Sequence, residues 1–94
     1  MSLNPVERDN TRAELAANLE LAGVTPEDIA AAVGAQVSSV QDCLNLTSRA
    51  NPALVWKIRD YLEEVTRERS LEPIPYTRLT EDMRESARAW FGIY

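Results

Sequence analysis

Thr25-Pro26-Glu27-Asp28-Ile29-Ala30-Ala31-Ala32-Val33-Gly34-Ala35-Gln36-Val37-Ser38-Ser39-Val40-Gln41-Asp42-Cys43-Leu44-Asn45 carries the clearest local signals in the chain. Thr25 is a helix-capping residue, Pro26 suits the first helical position, and Glu27 and Asp28 favour the positive end of a helix dipole. Asp28 stands three residues after Thr25 and approximates a capping box. The pattern Ile29, Ala30, Ala32, Val33 predicts a helix that stops at Gly34. A helix of two to three turns is too short to stand alone and must lean on neighbours. A second short helix is predicted from Val37 to Asn45. Val40, Cys43 and Leu44 share one face, and Ser38, Gln41, Asp42 and Asn45 share the opposite, polar one.

On the N-terminal side, Asn4-Pro5 and Glu7 predict the start of a first helix, with Asn10-Thr11 as an alternative start. Leu15, Leu19 and Ala22, with Ala16 beside them, make its apolar stripe, and Gly23 ends it. Leu21 lies off that stripe. Leu46–Asn51 reads as a loop, and Asn51-Pro52 opens the longest helix, to about Arg69. Leu54, Ile58, Tyr61, Leu62 and Val65 form its buried face, and Glu63 and Arg67 make a supporting ion pair. Trp56 falls off this face and needs cover from the C-terminal segment or from a partner. Ser70–Arg78 contains Pro73-Ile74-Pro75-Tyr76 and cannot be helical. It is an extended connector to a fifth helix capped by Thr80, with Glu81 and Asp82 in its first turn. Leu79, Met83, Ala87, Trp90, Phe91 and Tyr94 line one side of that helix.

The expectation is an all-α, compact bundle of about five helices, one domain over residues 1–94, with a C-terminal extension from 70 to 94. A chain of 94 residues with 45% hydrophobic and 27% charged content fits one such domain. The single Cys43 excludes a disulfide framework and fits a reducing, cytoplasmic setting. No run of about 18 apolar residues offers a membrane span. The chain has no histidine, which removes the commonest general base and zinc ligand, so no metal, cofactor or enzymatic activity is expected. Cys43 falls where the motif needs a buried apolar side chain, so a core thiol is the better reading than a nucleophile. The carboxylate pairs Glu27-Asp28, Glu63-Glu64 and Glu81-Asp82 sit at helix starts or polar faces, where acids are expected without catalysis. The aromatic residues read as core in preference to a ligand pocket.

Ala30 for a close contact, Gly34 for the turn, and Ala35, Val40 and Cys43 as anchors make Thr25–Asn45 resemble the helix-turn-helix of the lambda-repressor-like DNA-binding family. The resemblance covers roughly residues 10–65. The whole chain also resembles a small bacterial family that shares this domain and a Pro-x-Pro-aromatic segment, here Pro73-Ile74-Pro75-Tyr76. That second resemblance supplies no activity.

The first resemblance implies double-stranded DNA as partner, with the second motif helix in the major groove. Gln36, Val37, Ser38, Gln41, Asp42 and Asn45 would then face the bases, and Arg8, Arg12 and Arg49 would contact phosphates. The charge balance departs from that family. The net charge is −5, and residues 1–50 carry three arginines against seven carboxylates. The motif's second helix has no Lys or Arg, so a single copy is expected to bind weakly and a homodimer to bind better. The alternative expectation is a protein-interaction module on the same scaffold, without DNA binding.

Overall fold

The computed structural model describes residues 5–76, 79, 80 and 83. Within them the chain forms four helices and no strand: α1 Pro5–Ala22, α2 Pro26–Val33, α3 Val37–Leu44 and α4 Pro52–Glu68. The start of α1 at Pro5 removes the alternative start at Asn10. The expected fifth helix lies largely outside the described residues, including Glu81, Asp82, Ala87, Trp90, Phe91 and Tyr94. Of its expected signals, Met83 is helical and its N–H reaches Thr80 Oγ1 at 3.4 Å.

Each helix end has a local cause. Thr25 Oγ1 accepts from the Asp28 N–H at 3.1 Å and Asp28 Oδ2 accepts from the Thr25 N–H at 3.0 Å, so the capping box is complete. Asn51 Oδ1 accepts from the N–H groups of Ala53 and Leu54 at the head of α4. Glycine in the left-handed region ends α1 at Gly23 and α2 at Gly34. The same backbone device ends α3 and α4 without glycine. Leu46 has φ 50° and Ser70 φ 61°. The N–H of the next residue then returns five positions, Thr47 to Asp42 and Leu71 to Thr66, as Ala35 does to Ala30 after Gly34.

α4 is the centre of the bundle and touches the other three helices, and α3 also touches α1 and α2. Leu15, Ala22, Ile29, Val40, Cys43, Val55, Trp56, Ile58 and Leu62 are buried together, joined by Leu79 from beyond the connector. Burial pushes the Cys43 thiol up from its ordinary value, the nearby Asp42 charge adds to this, and the group stays a protonated core thiol at neutral pH.

The buried faces differ from the apolar stripes in four polar residues. Thr11, Asn18, Arg59 and Thr66 are all buried. On α1 the inward face is Thr11, Leu15, Asn18, Ala22, while Ala16 is exposed and Leu19 only half-buried. On α4, Val55 and Trp56 are buried, while the expected Leu54, Tyr61 and Val65 are half-buried. Trp56 needs no partner molecule for cover, being 2% exposed within this one chain.

Two of these polar residues, Asn18 and Arg59, are accounted for by the connector, while Thr66 Oγ1 donates to the Leu62 carbonyl within α4 at 2.7 Å. Asn18 Nδ2 donates to the carbonyls of Glu14 (2.9 Å) and Ile74 (3.1 Å), and Asn18 Oδ1 accepts from the Ile74 N–H at 2.8 Å. Pro73 and Pro75 have no N–H, so this one side chain satisfies the single donor of the Pro-Ile-Pro unit. Arg59 Nε donates to the Leu79 carbonyl at 3.0 Å, and its guanidinium lies 5.2 Å from the centre of the Tyr76 ring and 5.9 Å from that of Trp56. Glu63 answers Arg59 at 3.1 Å as well as the expected Arg67 at 3.7 Å.

Arg69, just past α4, donates from Nη1 to the Ala22 carbonyl at 2.6 Å and so caps the end of α1. A Cβ on Gly23 would come within 2.5 Å of that nitrogen, whereas one on Gly34 would meet nothing within 4 Å. Both glycines have φ near 70°. Gly34→Ala therefore carries backbone strain alone, about 1 kcal/mol, and Gly23→Ala adds displacement of the Arg69 cap, for about 2 kcal/mol. Urea unfolding of both variants checks the ordering. Equal losses would mean that the Arg69 contact contributes nothing.

Candidate nucleic-acid interface

α2 and α3 are joined by Gly34, Ala35 and Gln36, and the N–H groups of Gly34 and Ala35 both donate to the Ala30 carbonyl at 3.0 Å. Ala30 is buried where the two helices meet, and its small side chain lets them approach. Ala35 and Val37 are half-buried, and Val40 and Cys43 are fully enclosed, which fixes the roll of α3 about its axis. The opposite face is thereby turned outward. Gln36, Ser38, Gln41 and Asn45 are exposed, and Asp42 is half-buried.

Two of these side chains have local partners. Asn45 Nδ2 donates to the Gln41 carbonyl at 2.9 Å, and Asp42 Oδ1 accepts from Thr47 Oγ1 at 3.1 Å. Thr47 Oγ1 in turn accepts from the Arg49 N–H at 3.3 Å. The C-terminal carbonyls of α3 already accept backbone N–H groups from Asn45, Leu46 and Thr47, and these side-chain bonds add to them and hold the loop that carries Arg49. Gln36, Ser38 and Gln41 have no side-chain bond to another described residue.

Arg8, Arg12 and Arg49 are exposed. Arg12 pairs with Asp9 at 2.8 Å, one turn earlier on α1. The side chains of Arg8 and Arg49 make no ion pair with a described residue. Arg49 sits in the loop that leaves α3, four residues beyond Asn45. The buried cation Arg59 was not among the expected site residues, and its guanidinium is turned inward to the connector. Its position beside Ile58 gives no signal of this, since Lys57 flanks Ile58 on the other side and is exposed.

Among the described residues no group of three His, Cys, Asp or Glu side chains could hold a metal ion. No helix among them is long and apolar enough to cross a membrane.

The profile of a bacterial family, described as "Uncharacterized protein conserved in bacteria (DUF2316)", matches residues 1–92. The chain belongs to that family. The match spans the DUF2316 protein from α1 through the connector and on to residue 92, so helices and Pro-x-Pro-aromatic segment form one unit of descent. No curated protein and no solved structure matches it.

Proposed function

We propose that α2, the Gly34 turn and α3 are a helix-turn-helix of the lambda-repressor-like class, and that this DUF2316 protein is a DNA-binding transcriptional regulator. The observation that carries the reading is the outward polar face of α3. Gln36, Ser38 and Gln41 are exposed and uncommitted, while Val40 and Cys43 anchor the helix from behind. Gln41 has the donor–acceptor pair that reads adenine through two hydrogen bonds, Ser38 suits several bases, and Val37 reaches a thymine methyl. Asn45 keeps its amide oxygen, and Asp42 its second carboxylate oxygen, for base edges near the end of the helix. Arg49 and Arg8 supply the phosphate contacts, and Arg12 joins them once released from Asp9.

Electrostatics set the affinity. Two phosphate contacts per chain give a slope of log K against log salt of about −2 for one copy and about −4 for a dimer. Both are shallow for a sequence-specific regulator, so two copies must act together.

Selection of randomised duplexes at low and then physiological salt tests the proposal, with an enriched half-palindromic site as the expected outcome. On that site Gln41→Ala is expected to cost about 1–3 kcal/mol and to relax preference at one position. Arg49→Ala is expected to weaken all sequences alike and to flatten the salt slope by about 1. No enrichment at either salt concentration sinks the DNA reading. The second reading, a protein-interaction module, is favoured by the commitment of Asp42 and Asn45 to local bonds and by the absence of any Lys or Arg from α3. Its mark is partner capture that depends on Gln41 and Asp42 with no DNA retained.

A further inference from the structure

We infer that the connector after α4 is an exchangeable strap, which a second copy of this chain can insert into the groove between α1 and α4, giving a strap-exchanged dimer. The inference rests on the strap alone and stands whether or not α3 binds DNA.

The path of the strap follows from its attachments. Arg69 fixes the end of α4 beside Ala22, at the end of α1. The chain then reverses. Ile74 reaches Asn18, one turn back along α1, and Leu79 reaches Arg59, about 15 Å back along α4 at helical rise. The reversal needs the left-handed backbone at Ser70, with φ 61° on a residue that has a Cβ. A short, strained hinge of this kind favours exchange, because the same contacts form between two copies once the hinge opens.

Three further observations favour a second copy as occupant. Asn18 and the Arg59 Nε hold the strap through its backbone, so the groove accepts the same segment from any copy that presents it extended. The Tyr76 hydroxyl is buried with no well-formed hydrogen bond among the described residues, only a weak contact with the Asn18 side chain, which weakens docking of the strap and eases its release. Leu71 and Ile74, both just after the reversal at Ser70, remain 43% and 39% exposed in the single chain. When two straps cross, these apolar side chains lie at the crossing point and can cover one another.

Ser70 variants and isotope mixing test the inference. Proline cannot take φ 61° and lacks the N–H that Ser70 donates to the Arg67 carbonyl at 2.9 Å. Ser70→Pro is therefore expected to be dimeric by sedimentation at concentrations where the wild type is monomeric. Glycine relieves the strain of both closed hinges, so Ser70→Gly is expected to raise the dimer dissociation constant roughly ten- to thirtyfold over wild type.

In dimers refolded from equal parts of nitrogen-labelled and carbon-labelled chains, isotope-filtered spectra are expected to show the Asn18 amide of one copy against Ile74 of the other. A Ser70→Pro protein that keeps its helical circular dichroism yet stays monomeric up to about 1 mM, well above working concentrations, overturns the inference. So does a dimer with only intrachain Asn18–Ile74 contacts. If Ser70→Pro does not fold, wild type and Ser70→Gly decide the matter. Equal dimer fractions, or none in either, overturn the inference.

Discussion

Arg59→Ala is expected to lower the unfolding free energy by about 3–4 kcal/mol, a large part of the ~5–15 kcal/mol a small domain has. The guanidinium is 7% exposed by residue and connects α4 to the strap at two points, the Leu79 carbonyl and the Tyr76 ring. Removing it leaves a carbonyl next to buried Leu79 without its donor, at about 1–3 kcal/mol. It also removes the stacking on Trp56 and Tyr76, at about 0.5–2 kcal/mol, and the packing of the side-chain stem.

The ion pairs add less, because Asp60 and Glu63 are 35% and 29% exposed and solvent screens them. Arg59→Lys keeps the charge and loses both the Nε bond and the planar stack, so it is expected to recover less than half of the loss. Urea titration followed by circular dichroism measures both variants. An Arg59→Ala protein within about 0.5 kcal/mol of wild type would refute the role given to this residue.

Replacing Asn18 by alanine is expected to cost about 2–3 kcal/mol and to free the strap locally before the helices melt. Its amide group makes two of its three bonds to Ile74 and has no exposed surface of its own. Alanine deprives both the N–H and the carbonyl of Ile74 of their partner and leaves a space in the groove. Water reaches part of the strap, since Ile74 is 39% exposed, and that keeps the cost below the sum of two fully buried losses.

Asn18→Leu separates the two causes, because it restores volume without restoring bonds. It is expected to be as unstable as alanine, with the Ile74 amide exchanging its hydrogen freely in both variants. A leucine variant with wild-type stability and a protected Ile74 amide would mean that Asn18 acts by filling space.

Arg59 and Asn18 are residues that an apolar stripe cannot register. Periodicity finds Leu15, Ile58 and Leu62 because a core position and an apolar side chain coincide there. At positions 11, 18, 59 and 66 the inward face carries Thr, Asn, Arg and Thr. Thr66 Oγ1 donates within its own helix to the Leu62 carbonyl at 2.7 Å, and Thr11 Oγ1 has no partner among the described residues. Asn18 and Arg59 instead depend on bonds formed only once the chain has folded. For Asn18 and Arg59 those partners lie 56 and 20 residues away, beyond any local pattern. One signal was present: Asn18 falls three residues after Leu15 and four before Ala22, in register with the buried face of α1.

Helix stops show the same division. Gly23 and Gly34 announce theirs, whereas Leu46 and Ser70 adopt the same left-handed backbone with no residue type to mark it. In the candidate interface, the outward Gln41 and Ser38 follow from the polar period of α3. The capture of Asn45 by the Gln41 carbonyl and of Asp42 by Thr47 does not.

Local patterns along the chain were enough to read an all-helical fold, the position and caps of α2, the glycine turn into α3, and a connector that cannot be helical. Those features depend on contacts within a few residues: capping bonds, proline geometry and the spacing of apolar side chains. The path of the connector, the enclosure of Trp56, and the grip of Asn18 and Arg59 on the strap backbone are visible in the folded chain alone. Asn18 and Arg59 complete their hydrogen bonds with partners far away in the sequence, and those partners come within reach only once the chain has folded.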